Sequence, residues 1–244
     1  MNTLDLFSGL EGWSAPFRER GHSVVTLDLD PRFRADHVTD FLEVSDLGGL
    51  EVGGRFDAVL ASPPCDTFST GSFRHHWRCE TVCRRCGAAM LRVGGERWQH
   101  DCPNPLPAEP YTYTPRTPAA FIGHRLMAHT FRLIAEYRPR VWVVENPRAL
   151  MRKLAPTWAE RRTVTWCQYG DTCMKPTDLW GGFPEGFIAR ACRNGDLCHE
   201  AAPRGAKTGT QGKTDAAARG KIPYGLALEV CIAAERGFNV VGGF

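Results

Sequence analysis

No apolar run in this chain approaches the roughly 20 residues a helix needs to cross a bilayer. The opening residues, Met1-Asn2-Thr3-Leu4-Asp5, lack the basic-then-apolar pattern of a secretory leader. No membrane association is expected, and the chain reads as cytoplasmic. No internal repeat is visible either, which argues against a solenoid or propeller. Charge of one sign is scarce: 30 Lys and Arg against 27 Asp and Glu leave +3, too little by itself to name a partner. What is present is more telling. With 43% hydrophobic and 23% charged residues, 244 positions suffice for one sizeable α/β domain with insertions or two small ones. Ten cysteines are many for a reducing compartment, so ligation or catalysis outranks disulfides. The basic residues are also clustered. Arg74, Arg78, Arg84, Arg85, Arg92 and Arg97 crowd one stretch, and Arg190, Arg193, Arg204, Lys207, Lys213, Arg219 and Lys221 another. Two such clusters suggest a polyanionic partner.

Short apolar runs bounded by turn residues predict strands at Thr3–Phe7, Val24–Leu27, Ala58–Ala61, Val141–Val144 and Val164–Trp166. An amphipathic helix is expected to about Arg20. A second should open with Thr117 as N-cap and Pro118 in its first turn, sharing Ile122, Leu126, Phe131 and Ile134 on one face, and end at Pro139. A short final helix from Pro223 would stack Leu226, Val230 and Ala234. This alternation predicts a parallel sheet with helices on both faces. From about Ser69 to Pro118 periodicity disappears, which reads as an insertion.

Ser62-Pro63-Pro64-Cys65-Asp66-Thr67-Phe68-Ser69 follows the strand at Ala58–Ala61. The two prolines forbid an immediate helix. A cysteine just past the carboxyl end of a central strand stands where open α/β sheets place ligands, and is a candidate nucleophile. The turn Asp5-Leu6-Phe7-Ser8-Gly9-Leu10-Glu11-Gly12 joins strand to helix but is no dinucleotide fingerprint, because Glu11 would repel a pyrophosphate. It suits a cationic cofactor without phosphate. With Asp28 or Asp30 at the end of the second strand to take ribose hydroxyls, it points to S-adenosylmethionine. Glu145-Asn146-Pro147 follows the strand at Val141–Val144 and can reach the same pocket. Cysteine plus glutamate is what pyrimidine C5 chemistry needs: a thiolate adds at C6, an acid protonates N3, and C5 becomes nucleophilic.

In this order the set resembles the cytosine-C5 DNA methyltransferases, in about the first 150 residues. The resemblance implies an α/β, Rossmann-like S-adenosylmethionine-dependent methyltransferase sheet. Cys65 would be the nucleophile and Glu145 the N3 acid. Asp5, Phe7, Ser8, Gly9, Gly12, Asp28, Asp40 and Pro63 would line the cofactor, and Ser69, Asn146, Arg148 and Lys175 would meet the substrate. Ile222-Pro223 and the final helix look like the closing motif that returns to the cofactor domain. The chain departs from the family pattern in Pro147, in Glu11, and in a missing Gln-x-Arg-x-Arg motif, whose place is taken by Gln168-Tyr169-Gly170 and Lys175-Pro176-Thr177-Asp178. A large target-recognition domain is also absent. The implied partner is DNA, duplex or single-stranded, with no protein partner. Alternatives are RNA or a free cytosine nucleotide, transfer of a larger group, or a non-catalytic zinc protein on a decayed core.

The expected organisation is a first catalytic half at 1–69, a Cys/Arg-rich insertion at 70–116, a second catalytic half at 117–166, a basic target-contacting region at 167–221 and a returning helix at 222–244. Cys79-x3-Cys83-x2-Cys86 followed by His100-x-Cys102 has zinc-knuckle spacing, with Cys79 or His100 as fourth ligand. Cys167, Cys173, Cys192 and Cys198-His199 form a wider set. One or two structural zinc ions are expected. Trp77, Trp98, Trp158, Trp166 and Trp180 read as packing residues. The run Arg204–Thr214 fails the phosphate-loop pattern and reads as a flexible basic loop for a nucleic-acid backbone.

Overall fold

A computed structural model describes residues 1–93, 98–100, 102, 106–201 and 215–239. Arg97 and the basic run Arg204–Thr214 lie outside the described residues. The chain opens with β1 (Asn2–Leu6), α1 (Ser14–Glu19), β2 (Ser23–Asp28), the two-residue β3 (His37–Val38) and β4 (Ala58–Ala61). An insertion follows, with α2 (Phe73–His76), β5 (Trp77–Val82), β6 (Ala89–Val93) and β7 (Thr112–Pro115). Then come α3 (Pro118–Tyr137), β8 (Val141–Pro147), α4 (Met151–Leu154), β9 (Arg161–Thr165), β10 (Pro176–Gly182), α5 (Ala216–Gly220) and α6 (Tyr224–Asn239).

The main sheet runs β3-β2-β1-β4-β8-β10-β9; the first five strands are parallel, and β10 is antiparallel to both of its neighbours. The expected α/β sheet with helices on both faces is borne out. Its apolar residues alternate between two cores, as successive side chains of a strand must. Val59 and Ala61 join the core containing Met127, Phe131 and Ile134 of α3, whereas Ala58 and Leu60 join the one containing Phe17 of α1 and Leu226, Val230 and Ala234 of α6. Strands covered on both faces tend to be apolar throughout, and that is why β4 and Val141–Val144 of β8 are readable as strands; β1 instead alternates, with Leu4 and Leu6 in one core and Thr3 and Asp5 buried opposite.

The boundaries of α3 follow from its ends. Thr117 Oγ1 accepts from the Ala120 amide at 3.3 Å, Pro118 supplies a preset φ, and Arg138 closes the helix with a left-handed φ of 54°. Leu126, Phe131 and Ile134 are buried as expected. Ile122 is not: it is 52% exposed and turns towards the cleft described below. Gly123, one residue on, lets α3 approach the Cys65 loop, since a Cβ there would stand 2.9 Å from Thr67 Oγ1.

Two expectations change. The insertion is not devoid of regular structure; β5 is the centre of an antiparallel sheet of order β6-β5-β7. Its inward residues are Trp77, Cys79 and Thr81, a pattern that alternates without looking hydrophobic. Nor does the stretch 167–221 stand apart from the catalytic sheet, because β10 is inserted between β8 and β9. There Thr177 and Asp178 are fully buried. Arg152 makes a two-pronged ion pair with Asp178 at 2.9 and 2.8 Å, and Thr163 Oγ1 donates to it at 2.7 Å. Among the described residues no helix is long and apolar enough to cross a membrane.

Candidate active site

The carboxyl ends of β1, β2, β4 and β8 open into one cavity of about 500 Å³. Ala61 of β4 lies opposite Val144 of β8 in parallel register, so the loop after β4 and Glu145 emerge side by side. Cys65 and Glu145 both line the cavity. The thiol is half-buried, and among the described residues Cys65 belongs to no group that could hold a metal.

The cysteine loop is held at several points. Asn146 Nδ2 donates to Pro63 O at 3.0 Å, and the amides of Phe68 and Ser69 both donate to Cys65 O at 3.0 Å. Leu150 N reaches Phe68 O at 3.1 Å, and Trp77 Nε1 of the insertion donates to Thr67 O at 2.9 Å. Trp13 Nε1 donates to Ser62 Oγ at 3.1 Å from the other side. Such fixing limits the entropy that would otherwise be lost when a substrate meets the sulfur.

Burial pushes the Cys65 thiol up to about 11; the Glu145 charge adds to this, and Lys175 opposes it. Burial likewise raises the Glu145 carboxyl above the usual range, again against Lys175, and Ser62 as a hydrogen-bond partner. Its Oε1 is buried without a protein partner. Burial thus disfavours the charged form of both groups, and one cation opposes it at each. That cation adopts an uncommon backbone, with Lys175 at φ 24°. Its Nζ lies 3.3 Å from the centroid of the Trp166 ring and donates to Arg219 O at 2.6 Å.

The other end of the cavity is the turn after β1. Phe7 and Glu11 adopt positive φ of 59° and 53°, uncommon for side-chain-bearing residues. Asp28 orders this turn: its Oδ2 accepts from Gly9 N and its Oδ1 from Asp30 N, both at 2.9 Å. Phe7, Ser8, Gly9, Gly12, Asp28, Asp40 and Pro63 all line the cavity, and the Ser8 hydroxyl is buried without a protein partner. Gly12 has a second duty. A Cβ there would fall 2.5 Å from the Ile222 amide, so the segment before α6 closes directly over the turn.

Several expected residues stand elsewhere. Asp5 does not line the cavity; it is buried beneath the turn, accepts from Ser14 Oγ, and burial raises its carboxyl to about 7. Asn146 is wholly buried and acts on the cysteine loop. Ser69 Oγ is paired with Ser72 Oγ at 2.8 Å, and Arg148 is exposed just past the cavity. Of the four residues expected to meet substrate, Lys175 alone lines the cavity. The motifs gave no sign of Trp13, Phe33, Phe41, Ile122 or Lys221, which also line it.

The cysteines fall into two groups of four ligand atoms, Cys83, Cys86, His100 and Cys102, and Cys167, Cys192, Cys198 and His199. Cys79 lies outside the first, buried on β5 beside Tyr113 and Arg92. Cys173 lies outside the second, its amide donating to Asp171 Oδ1 at 2.8 Å. Each of these two expected places is filled by histidine. The tryptophans mostly pack as expected: Trp77, Trp166 and Trp180 are buried, but Trp158 is exposed.

Over 204 residues the chain is 29% identical to the Probable DNA (cytosine-5)-methyltransferase of Frog virus 3 (isolate Goorha), covering 81% of this chain and 78% of that protein. The chain is similar to a cytosine-C5 DNA methyltransferase. The resemblance carried by its motifs is thereby borne out. No family model matches. Two solved structures align in part. A candidate DNA modification methyltransferase encoded within an E. coli prophage aligns with TM-score 0.44 and 15% identity, over 74% of this chain and 46% of that one. A triple-mutant DNMT2 of Spodoptera frugiperda aligns with TM-score 0.40 and 10% identity, over 82% and 57%. The chain spans about half the length of each solved structure.

Proposed function

We propose that the protein transfers a methyl group from S-adenosylmethionine to C5 of cytosine in DNA. The observation that carries this reading is that a half-buried thiol and a buried carboxyl, its proton affinity raised by burial, share one cavity at the ends of adjacent parallel strands. The Frog virus 3 relative supports the same activity. Cys65 Sγ forms a bond to C6 of the extruded base. Glu145 gives its proton to N3, and its unpartnered Oε1 is the buried acceptor for the amino group of the same ring edge. Lys175 stabilises negative charge on both side chains, and takes the place of the arginine that the missing family motif would supply. A base takes the C5 proton, the Cys65–C6 bond breaks to release the thiolate, N3 returns its proton to Glu145, and the thiolate is reprotonated from solvent.

The cofactor fits the opposite end. A turn without phosphate-binding character, an acidic side chain at Asp28 and the apolar residues Leu27, Phe33 and Phe41 suit an adenosine carrying a positive charge. When bound there it supplies an electrophilic methyl group. Ser8, with its unpartnered hydroxyl, and Asp40 complete the polar lining. Arg148, outside the cavity, is available to a target phosphate. The test is mass spectrometry of duplex DNA, single-stranded DNA, RNA and dCMP after incubation with the protein and labelled cofactor. 5-Methylcytosine in DNA is expected; label confined to RNA or nucleotide would redirect the substrate, and none at all would reject the activity.

A further inference from the structure

The two cysteine groups have a geometry of their own, independent of the cavity reading. Cys167 Sγ lies 3.3 Å from Cys192 Sγ and 3.7 Å from Cys198 Sγ. His199 Nδ1 lies 3.5 Å from Cys198 Sγ, 3.6 Å from Cys192 Sγ and 4.0 Å from Cys167 Sγ. A disulfide would need sulfurs about 2.05 Å apart. Hydrogen bonding does not account for the set either, because one imidazole nitrogen cannot accept from three thiols at once. A tetrahedral ion does. Metal–sulfur bonds of about 2.3 Å and metal–nitrogen bonds of about 2.0–2.1 Å give S···S edges of about 3.8 Å and S···N edges of about 3.6 Å. The five separations scatter about those two lengths.

The first group has the same composition. Cys86 Sγ lies 3.1 Å from His100 Nε2, and the ligand atoms of Cys83, Cys86, His100 and Cys102 all fall within 4.8 Å of one another. It ties the Cys83–Cys86 turn at the end of β5 to the segment beyond β6. A further trio, His22, Cys231 and Glu235, differs in kind: Arg20 already pairs with the Glu235 carboxylate, leaving no net charge for a cation to answer.

We infer that the protein carries two structural zinc ions, each held by three cysteines and one histidine: Cys83, Cys86, His100 and Cys102, and Cys167, Cys192, Cys198 and His199. All four positions of each site are filled by protein, so neither is a place for hydrolytic chemistry. The second site has an outer contact typical of such centres, with Thr165 Oγ1 donating to Cys192 Sγ at 3.4 Å while accepting from Cys192 N at 2.9 Å. It also has a target. Cys167 belongs to the turn Trp166–Tyr169, and Trp166 carries the Lys175 ammonium on its ring. The ion thus fastens the segment around Cys192–His199 to the turn that supports the cavity's cation.

The experiment is elemental analysis of the purified full chain. Two zinc equivalents are expected, falling to one in Cys86→Ser and to one in Cys198→Ser. Where a variant does not fold, mercurial titration of the wild-type chain serves instead, and should release two zinc ions as six thiols react. Cobalt replacement should add thiolate charge-transfer and tetrahedral d–d bands. A folded wild-type chain with no metal, or variants that retain both ions, overturns the inference. None of these readouts depends on methyl transfer.

Discussion

Strand β4 buries valine, leucine and alanine on both faces, whereas β10, on the far side of β8 in the same sheet, buries Thr177 and Asp178 beside Leu179 and Trp180, with an arginine bound to the carboxylate. β4 is held by apolar area alone, and β10 by apolar area together with a paired buried charge. The difference matters because burying apolar side chains is favourable at almost any detailed geometry, while a buried charge is tolerated only if its partner is in place. The parallel side therefore provides a robust platform for Cys65 and Glu145. The β9–β10 side provides Lys175 at one fixed point.

Substitutions can separate the two sides. The largest effect should come from Cys65→Ser, which removes the proposed nucleophile on the parallel side. Methyl transfer should fall below detection while the melting temperature stays near wild type, as measured by labelled-methyl assay and calorimetry; an active variant would break the assignment. Glu145→Gln should keep the shape of the cavity and lose roughly 10²–10⁴ in rate. Its remaining activity should no longer respond to the carboxyl's titration in a pH–rate profile. Arg152→Met attacks the other side. It leaves the Asp178 carboxylate buried without its cation, and denaturant melts should register a loss of about 3–5 kcal/mol. A loss below about 1 kcal/mol would mean that the polar side is not held as described.

Two smaller effects belong to the parallel side. Asp5 has a folded pKa of about 7 against 3.8 when unstructured, so it binds a proton more tightly in the folded state. Its contribution is fully present below pH 3.8 and is lost as pH rises through about 7. Asp5→Asn should flatten that decline in melts run across the same window. Thr117→Ala, which removes the N-cap of α3, should cost about 1 kcal/mol and leave transfer unchanged.

The same contrast explains what could be read from the chain. Ala58–Ala61 and the Thr117-Pro118 helix start emerge at the expected residues because apolar runs and caps are local signals. Cys65 was legible because its loop follows such a strand, and Glu145 because it continues the Val141–Val144 run at the carboxyl end of β8. β10 was not, since proline, aspartate and paired glycines contradict strand propensity and only Arg152 and Thr163 make the aspartate tolerable there. Asp5 was assigned to the cofactor by likeness, but its partner Ser14 lies on the next helix, so spacing could not reveal that it points under the turn. His199 and His100 were adjacent to the right cysteines; choosing between them and Cys173 or Cys79 required the third dimension.

The contact between Gly12 and Ile222 joins a turn near β1 to a segment 210 positions further along the chain (222 − 12). Ile222 walls the cavity, and α6 covers the face of the sheet that α1 alone cannot shield. A nascent chain would therefore carry Cys65 and Glu145 well before Ile222 can wall the cavity they share. Copies halted before Ile222 would hold both side chains in a chamber that lacks this wall.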